Sequence, residues 1–284
     1  TQKFIKPLEW VNPLKDKNNF VESLLSFSLV LLNSKKNKSS SYLEKGETLV
    51  KKDQQLVNIN YLKSYLVGVI DGSGQFQVNN YQYSHLQYRL VIQLPNNSSN
   101  YSVLILIRKI LGGKIFTKKK DIIWVVNELN SVKEILVIFE KYPLLTSRKI
   151  CQLDFLKKCI NNSNPLMYFI SARNNKYNDQ LKITKSNEQK WSLIKNDEEQ
   201  SSHFRAWLRG YTETKGCYQW SQSKFYIEEK YDKYLLDLIK QYFNVTNKVK
   251  NLSSNRYSLE IHNKITLEKI KEYYENNPLL VVKA

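Results

Sequence analysis

Two stretches of nine residues hold the side chains best placed to do chemistry. They are Leu66-Val67-Gly68-Val69-Ile70-Asp71-Gly72-Ser73-Gly74 and Leu208-Arg209-Gly210-Tyr211-Thr212-Glu213-Thr214-Lys215-Gly216. Each has an acid in sixth place, Asp71 or Glu213, while the eighth places hold a hydroxyl, Ser73, and an ammonium, Lys215. Carboxylates could offer oxygen to a hard divalent cation. Two residues along a helix is a rotation of about 200°, so the sixth and eighth side chains face apart. Asp71 and Glu213 are therefore read as hydrogen-bonding or ion-pairing groups near helix ends, without a catalytic role. Cys151, Cys159 and Cys217, with His85, His203 and His262, show neither a disulfide framework nor zinc spacing. No metal and no cofactor is expected.

The elements that carry these residues are duplicated. Tyr142-Pro143-Leu144-Leu145 returns as Asn277-Pro278-Leu279-Leu280 at a similar distance behind each stretch, so the chain reads as two similar halves about a pseudo-twofold axis. Gly68, Gly72 and Gly74 in one stretch, with Gly210 and Gly216 in the other, would let two helices approach backbone to backbone. A glycine that merely ends a helix is the alternative for each taken singly. Two copies in register favour a helix interface on the axis, hence a pseudo-dimeric monomer.

A chain of 284 residues with 42% hydrophobic content can bury a true core. Its formal charge of +18 favours a polyanionic partner, nucleic acid before membrane. The longest apolar run near the start, Phe20 to Leu32, contains Glu22 and is too short to span a bilayer. No signal or transit peptide is recognised, and the first residue is Thr. Nineteen Tyr, frequent Asn, Lys and Ile, and only eight Gly suggest an AT-rich coding background, hence an organelle.

Periodicity predicts an extension over residues 1–58, with a helix from Asn19 to Asn33 and a Ser- and Lys-rich linker from Ser34 to Lys52. The first half covers 59–160, a joining segment 161–202, and the second half 203–284. In the first half, helices are expected at Asn60–Asp71, Ser99–Leu111, Ser131–Lys141 and Ser147–Ile160. Its strands are expected at Gln75–Asn79, His85–Gln93, Lys114–Lys118 and Ile122–Asn127, with a turn around Asn79–Ser84. The joining segment is rich in Asn, Ser and Lys, with short elements possible at Leu181–Thr184 and Gln189–Ile194. In the second half, helices are expected at Ser202–Thr214, Tyr231–Phe243 and Ile265–Tyr274. The strands there are Cys217–Ser221, Lys224–Glu228, Val245–Lys250 and Tyr257–His262. The first hairpin runs about 20 residues and the second about 13.

Strand alternation gives the first half a polar face of Gln75, Gln77, Asn79, His85, Gln87, Arg89 and Gln93. Gln, Asn and Arg are the side chains that pair with base edges. A solvated sheet face accounts for them equally well in isolation. The corresponding second-half face would carry Gln219, Ser221, Lys224, Tyr226, Arg256, Ser258 and His262. Lys114, Lys118, Lys119 and Lys120 sit where they could contact phosphates without reading sequence.

The two glycine-punctuated stretches, each followed by two strands, a helix, two strands and a helix, resemble the LAGLIDADG homing endonucleases and maturases over residues 60–284. The resemblance implies an α+β fold of two αββαββα halves whose antiparallel sheets form a saddle over nucleic acid. It also implies that acids in eighth place hold divalent metal between protein and scissile phosphates. Here those places are Ser73 and Lys215, and an ammonium about 4 Å from a cation would repel it by several kcal/mol at moderate dielectric. The expectation is a non-enzymatic RNA binder in a mitochondrion. It would be a mitochondrial ribosome component or a group I intron splicing cofactor, accompanied by ribosomal or splicing proteins, with RNA favoured over DNA. The alternatives are a DNA homing endonuclease with a divergent metal site and a non-cleaving DNA-binding regulator. Lys215 could itself stand beside a phosphate in place of the metal.

Overall fold

The computed structural model describes residues 47–81, 85–191, 198–215, 218–219 and 223–276. The expected helix at Asn19–Asn33, the tip of the first hairpin at residues 82–84, and Gly216, Cys217 and Ser221 lie outside them. The first half opens with helix α1 (Glu47–Ser73), strands β1 (Gly74–Tyr81) and β2 (His85–Pro95), and helix α2 (Ser98–Leu111). It continues with β3 (Lys114–Thr117), β4 (Asp121–Val126), α3 (Leu129–Lys141) and α4 (Ser147–Asn161). Two helices follow, α5 (Pro165–Ala172) and α6 (Gln180–Trp191). The second half comprises α7 (Glu198–Lys215), β5 (Tyr218–Gln219), β6 (Lys224–Lys230), α8 (Lys233–Tyr242), β7 (Lys250–Ser253), β8 (Arg256–Ile261) and α9 (Lys264–Asn276). None of the described helices is long and apolar enough to cross a membrane.

The fold is α+β, with two four-stranded antiparallel sheets ordered β1-β2-β4-β3 and β5-β6-β8-β7. The strand orders match term for term, which is the duplication read from the sequence. Each sheet turns one face to the helices, because Phe76, Leu90, Ile92, Trp124 and Val126 share one side of β1, β2 and β4 and are buried there. Phe225, Ile227, Leu259 and Ile261 do the same in the second sheet. Both inner faces join one core with Tyr65, Val69, Trp207 and Tyr211 at its centre.

Two expectations are corrected. Helix α1 begins at Glu47, well before Asn60, so the Ser- and Lys-rich stretch does not run to Lys52 as a linker. The strand expected at Val245–Lys250 lies instead at Lys250–Ser253. Asn244 takes a left-handed conformation (φ 53°) behind α8, and Val245 N–H returns 2.8 Å to the Lys240 carbonyl. That geometry ends a helix and buries Val245 as its apolar anchor, which mimics a strand in the hydrophobic pattern.

The joining segment contains two helices, the second spanning Leu181–Thr184 where a short element was expected, and polar side chains dock that second helix. Gln180 Nε2 donates to Ser147 Oγ (3.0 Å), Thr184 Oγ1 to Asp232 (3.2 Å), and Asn187 Nδ2 to Tyr234 Oη (3.1 Å). Tyr234 also donates to the Leu145 carbonyl. Helix α6 is thus a strut between the first half's Leu145–Ser147 corner and the start of α8. Its apolar period is weak because its partners are hydrogen bonds, so the pattern reads as linker.

Candidate nucleic-acid interface and motif cleft

Helices α1 and α7 carry the two nine-residue stretches and meet at glycine. A Cβ on Gly68 would collide with the Trp207 carbonyl oxygen and stand 2.9 Å from Tyr211 N. One on Gly210 would strike the Tyr65 carbonyl oxygen and stand 2.9 Å from Val69 N. Tyr65 and Trp207 are equivalent positions, each three residues before its glycine, so the contact is reciprocal. Gly72 leaves room for the Thr214 hydroxyl, and Gly74 packs on the last turn of its own helix.

The sixth-place acids face across this axis. Trp207 Nε1 donates to Asp71 Oδ2 (2.7 Å), and Tyr65 Oη donates to Glu213 Oε2 (2.6 Å). Asp71 also accepts from Leu145 N (2.7 Å), Thr146 N (3.3 Å) and Thr146 Oγ1 (2.6 Å), which caps α4 from outside. Asp232 adds a second carboxylate at the same helix start, accepting from Ser147 N (3.0 Å). Burial pushes Asp71 up to about 6 and Asp232 up to about 7, against the hydrogen bonds that lower both. Glu213 is instead paired with buried Arg209, whose Nε lies 2.7 Å from Oε1.

His203 ties the halves together a turn earlier. Its Nε2 lies 3.0 Å from the Pro143 carbonyl and its Nδ1 3.0 Å from Ser64 Oγ. A carbonyl only accepts, so Nε2 carries the proton and Nδ1 receives the Ser64 hydroxyl. Burial depresses His203 to about 4. The neutral ring therefore supports the fold above the unfolded value near 6.5, and this support is lost as pH falls towards 4. Urea midpoints should lose about 2.5 kcal/mol of stability from this group between pH 7.5 and 4.5. His203→Gln should remove that part of the slope, and an unchanged slope would refute the assignment.

The eighth places lie at the sheet edge beside the axis. Ser73 lines an open cleft of about 450 Å³ with Gln75, Gln93, Asp121 and Lys149. Lys149, from the first turn of α4, donates to the Gly74 carbonyl at the end of the motif. Burial lowers its pKa, Asp71 opposes that, and Lys215 lowers it further, so the two ammonium groups sense one another near the axis. Lys215 is not a bare charge, since its Nζ lies 2.6 Å from Glu229 Oε1. Glu229 is buried and also receives the Tyr211 hydroxyl. Sequence reading missed Lys149, Asp121 and Glu229. The one signal to be had was the position of Lys149 four residues behind Leu145 in the repeated Pro-Leu-Leu corner.

The first sheet's outer face holds Gln75, Gln77 and Asn79 opposite Val91, Arg89 and Gln87, with Gln93 further towards the axis. Gln77 Nε2 donates to Gln75 Oε1 (2.8 Å). Arg89 Nε is buried without a hydrogen-bond partner among the described residues. Lys114 is on this face at the edge strand, paired with Val125, and Phe116 stands half exposed opposite Ile123. Lys118, Lys119 and Lys120 form the exposed β3–β4 turn. Asn96 Nδ2 donates to the Lys118 carbonyl (3.1 Å), fixing that turn beside the motif cleft.

The second sheet's outer face carries Lys224, Tyr226 and Glu228 with Arg256, Ser258, Glu260 and His262, and Ser258 is buried there. Gln219 pairs with Lys224 in the ladder. The basic groups are not free-standing. Arg256 Nε binds Glu228 (2.9 Å), while Lys224, Lys250 (3.1 Å) and His262 (3.1 Å) surround Glu260. Hydrogen bonds from Lys224, Lys250 and His262 hold Glu260 down to about 2. The expected basic tilt is therefore largely compensated by two acids, Glu228 and Glu260, that the same alternation places on the face and the sequence reading left out.

Paired motif helices below two matching sheets define the class, and residues 66–160 match the LAGLIDADG endonuclease family. The chain belongs to that family. It is 35% identical over 225 residues to the probable intron-encoded endonuclease aI3 of Dictyostelium discoideum, covering 78% of this chain and 91% of that protein. Identity is 38% over 251 residues to the protein of the same name from Debaryomyces hansenii, where the match covers 78% of this chain and 36% of the relative. The chain thus spans about a third of that longer protein. Among solved structures it resembles the I-LtrWI LAGLIDADG homing endonuclease bound to target DNA, with a TM-score of 0.52 and 19% identity over 78% of this chain and 85% of that one. I-GzeII in complex with its DNA target gives a TM-score of 0.54 at 16% identity over 78% and 84%.

These relatives overturn the expectation of a non-enzymatic RNA binder in a ribosome or splicing complex, since proteins 32% to 38% identical are named as probable endonucleases. The physical argument behind that expectation treated Lys215 as an uncompensated ammonium. Its salt bridge places the carboxylate of Glu229 beside that ammonium as a counter-charge.

Proposed function

We propose that the chain binds a DNA duplex across the outer faces of its two sheets and hydrolyses it at the motif cleft, as an intron-encoded homing endonuclease. The observation that carries this reading is the convergence of Lys149, Ser73, Gln75, Gln93 and Asp121 at the end of a motif helix locked to its twin through glycine. Residues 59–160 and 203–284 would serve as the two half-site binders, with 161–202 as their connector. The AT-biased composition and the intron-encoded relatives support a mitochondrial setting.

The family resemblance implies divalent metal between paired acids. The donors in eighth place here are one hydroxyl and one ammonium already bound to Glu229. No group of three or more His, Cys, Asp or Glu that could hold a metal ion occurs among the described residues. The side chains do not fit the family's shared acid pair, and the groups that the cleft does offer are an ammonium, a carboxylate and two amides. Lys149, held on the Gly74 carbonyl, sets a positive charge beside the axis to meet a phosphate oxygen. Asp121, in the same cleft, can accept a proton from water, and the amides of Gln75 and Gln93 can orient that water or the phosphate.

The full chain should enrich a duplex from a randomised library and cut it in magnesium buffer. Lys149→Ala should slow cutting about 10²- to 10³-fold while binding changes little. Failure to retain any duplex at low salt would overturn the reading, as would enrichment without cutting.

A further inference from the structure

We infer that the two sheets read their half-sites unequally: the first discriminates bases along a longer arm, and the second adds little base discrimination. This rests on the duplex-binding reading above.

The first observation is arm length. From the equivalent pairs Phe76–Leu90 and Tyr218–Phe225, the first ladder continues five residues to Tyr81–His85, and the second continues one to Gln219–Lys224. Only four residues, 220–223, remain between Gln219 and Lys224, so the second arm has almost no chain left with which to lengthen. Four residues of strand at about 3.4 Å each make roughly 14 Å. At about 3.4 Å per base step this is about four base pairs seen by one arm and not by the other.

The second observation is what each face offers. Gln75, Gln77, Asn79 and Gln87 present amides able to donate and accept in one plane, the first two joined by one hydrogen bond, with Arg89 opposite Gln77. Such groups separate adenine and guanine from the wrong base. On the second face the guanidinium of Arg256 is already committed to Glu228, and Glu260 collects Lys224, Lys250 and His262. A side chain bound to a neighbouring carboxylate must break that bond to read a base edge. The two acids also weaken the face's attraction for phosphate.

The test is a single-substitution scan of the enriched duplex, with binding measured on the full chain in calcium buffer at fixed salt. Substitutions in one half should weaken binding about tenfold or more each, and those in the other less than about threefold. Gln77→Ala and Asn79→Ala should flatten preference at positions in the discriminating half alone, which assigns that half to the first sheet. Glu260→Gln should strengthen binding to all sequences and steepen its salt dependence, because it frees the ammonium groups of Lys224 and Lys250 for phosphates. Equal discrimination by both halves would overturn this inference while leaving duplex binding intact. So would loss of preference on the opposite side in the Gln77 variant, or an unaltered salt slope in the Glu260 variant. A library that yields no duplex would overturn the parent reading and this one with it.

Discussion

Gly68→Val should leave the protein unable to hold its two halves together, with a loss of more than about 3 kcal/mol. The added atoms have nowhere to go, because the Trp207 carbonyl and Tyr211 amide belong to helix backbone rather than to a movable side chain. Relief requires α1 and α7 to separate, which pulls apart the Tyr65–Glu213 and Trp207–Asp71 bonds that cross the same seam. Gly210→Val should behave alike, since it meets the Tyr65 carbonyl in the mirrored place. Gly112→Ala supplies the control. Its backbone (φ 70°, ψ −150°) is one that glycine alone adopts readily, with open space around a Cβ, so only backbone strain of about 1 to 3 kcal/mol applies. Urea unfolding of the three variants checks the ranking, and a Gly68 variant no weaker than the Gly112 variant would refute the close approach.

Asp71→Asn should cost about 3 kcal/mol or more at pH 7.5. Four donors from Leu145, Thr146 and Trp207 converge on one carboxylate, and an amide must turn its NH₂ towards at least one of them. The pH dependence has a definite sign. Asp71 is raised from 3.8 to about 6 in the fold, so the native state binds the extra proton between those values. Its contribution to stability is present at low pH and lost as pH rises through about 6. The asparagine variant does not titrate, so its deficit against the parent should grow by about 1.5 kcal/mol between pH 7.5 and 5. Asp232, raised to about 7, adds a slope of the same sign in both proteins. Only the difference between parent and variant isolates Asp71. A deficit that shrinks towards pH 5 would show that the hydrogen bonds outweigh burial at this site.

The fold was legible wherever a residue type answers a local demand. Glycine at matched places announced the helix seam, and alternation in Gln75–Asn79 and His85–Gln93 separated the two faces of a strand. What escaped depends on partners far along the chain. Nothing near Glu229 marks it as the partner of Lys215. Nothing near Asp121 says that it shares a cleft with Ser73 and Lys149. Alternation places Glu228 and Glu260 on the second face with Lys224 and Arg256, but the ion pairs that occupy those cations appear only in the structure. The error over catalysis has the same root, for the charge on Lys215 was judged without the carboxylate that balances it. Val245 misled in a different way, since burial as a helix-end anchor and burial in a strand leave the same mark on hydropathy.

Helix α6 bears on how such a chain can be recombined. Its Gln180, Thr184 and Asn187 are fitted at once to the corner at Leu145–Ser147 and to Asp232 and Tyr234 at the head of α8. A chimera that joins this first half to a relative's second half therefore inherits a spacer matched on one side only. Exchanges made behind Trp191 should need equivalents of Asp232 and Tyr234 in the new second half, whereas exchanges made at Asn161 move the spacer with the second half and should need its Gln180 counterpart to fit Ser147.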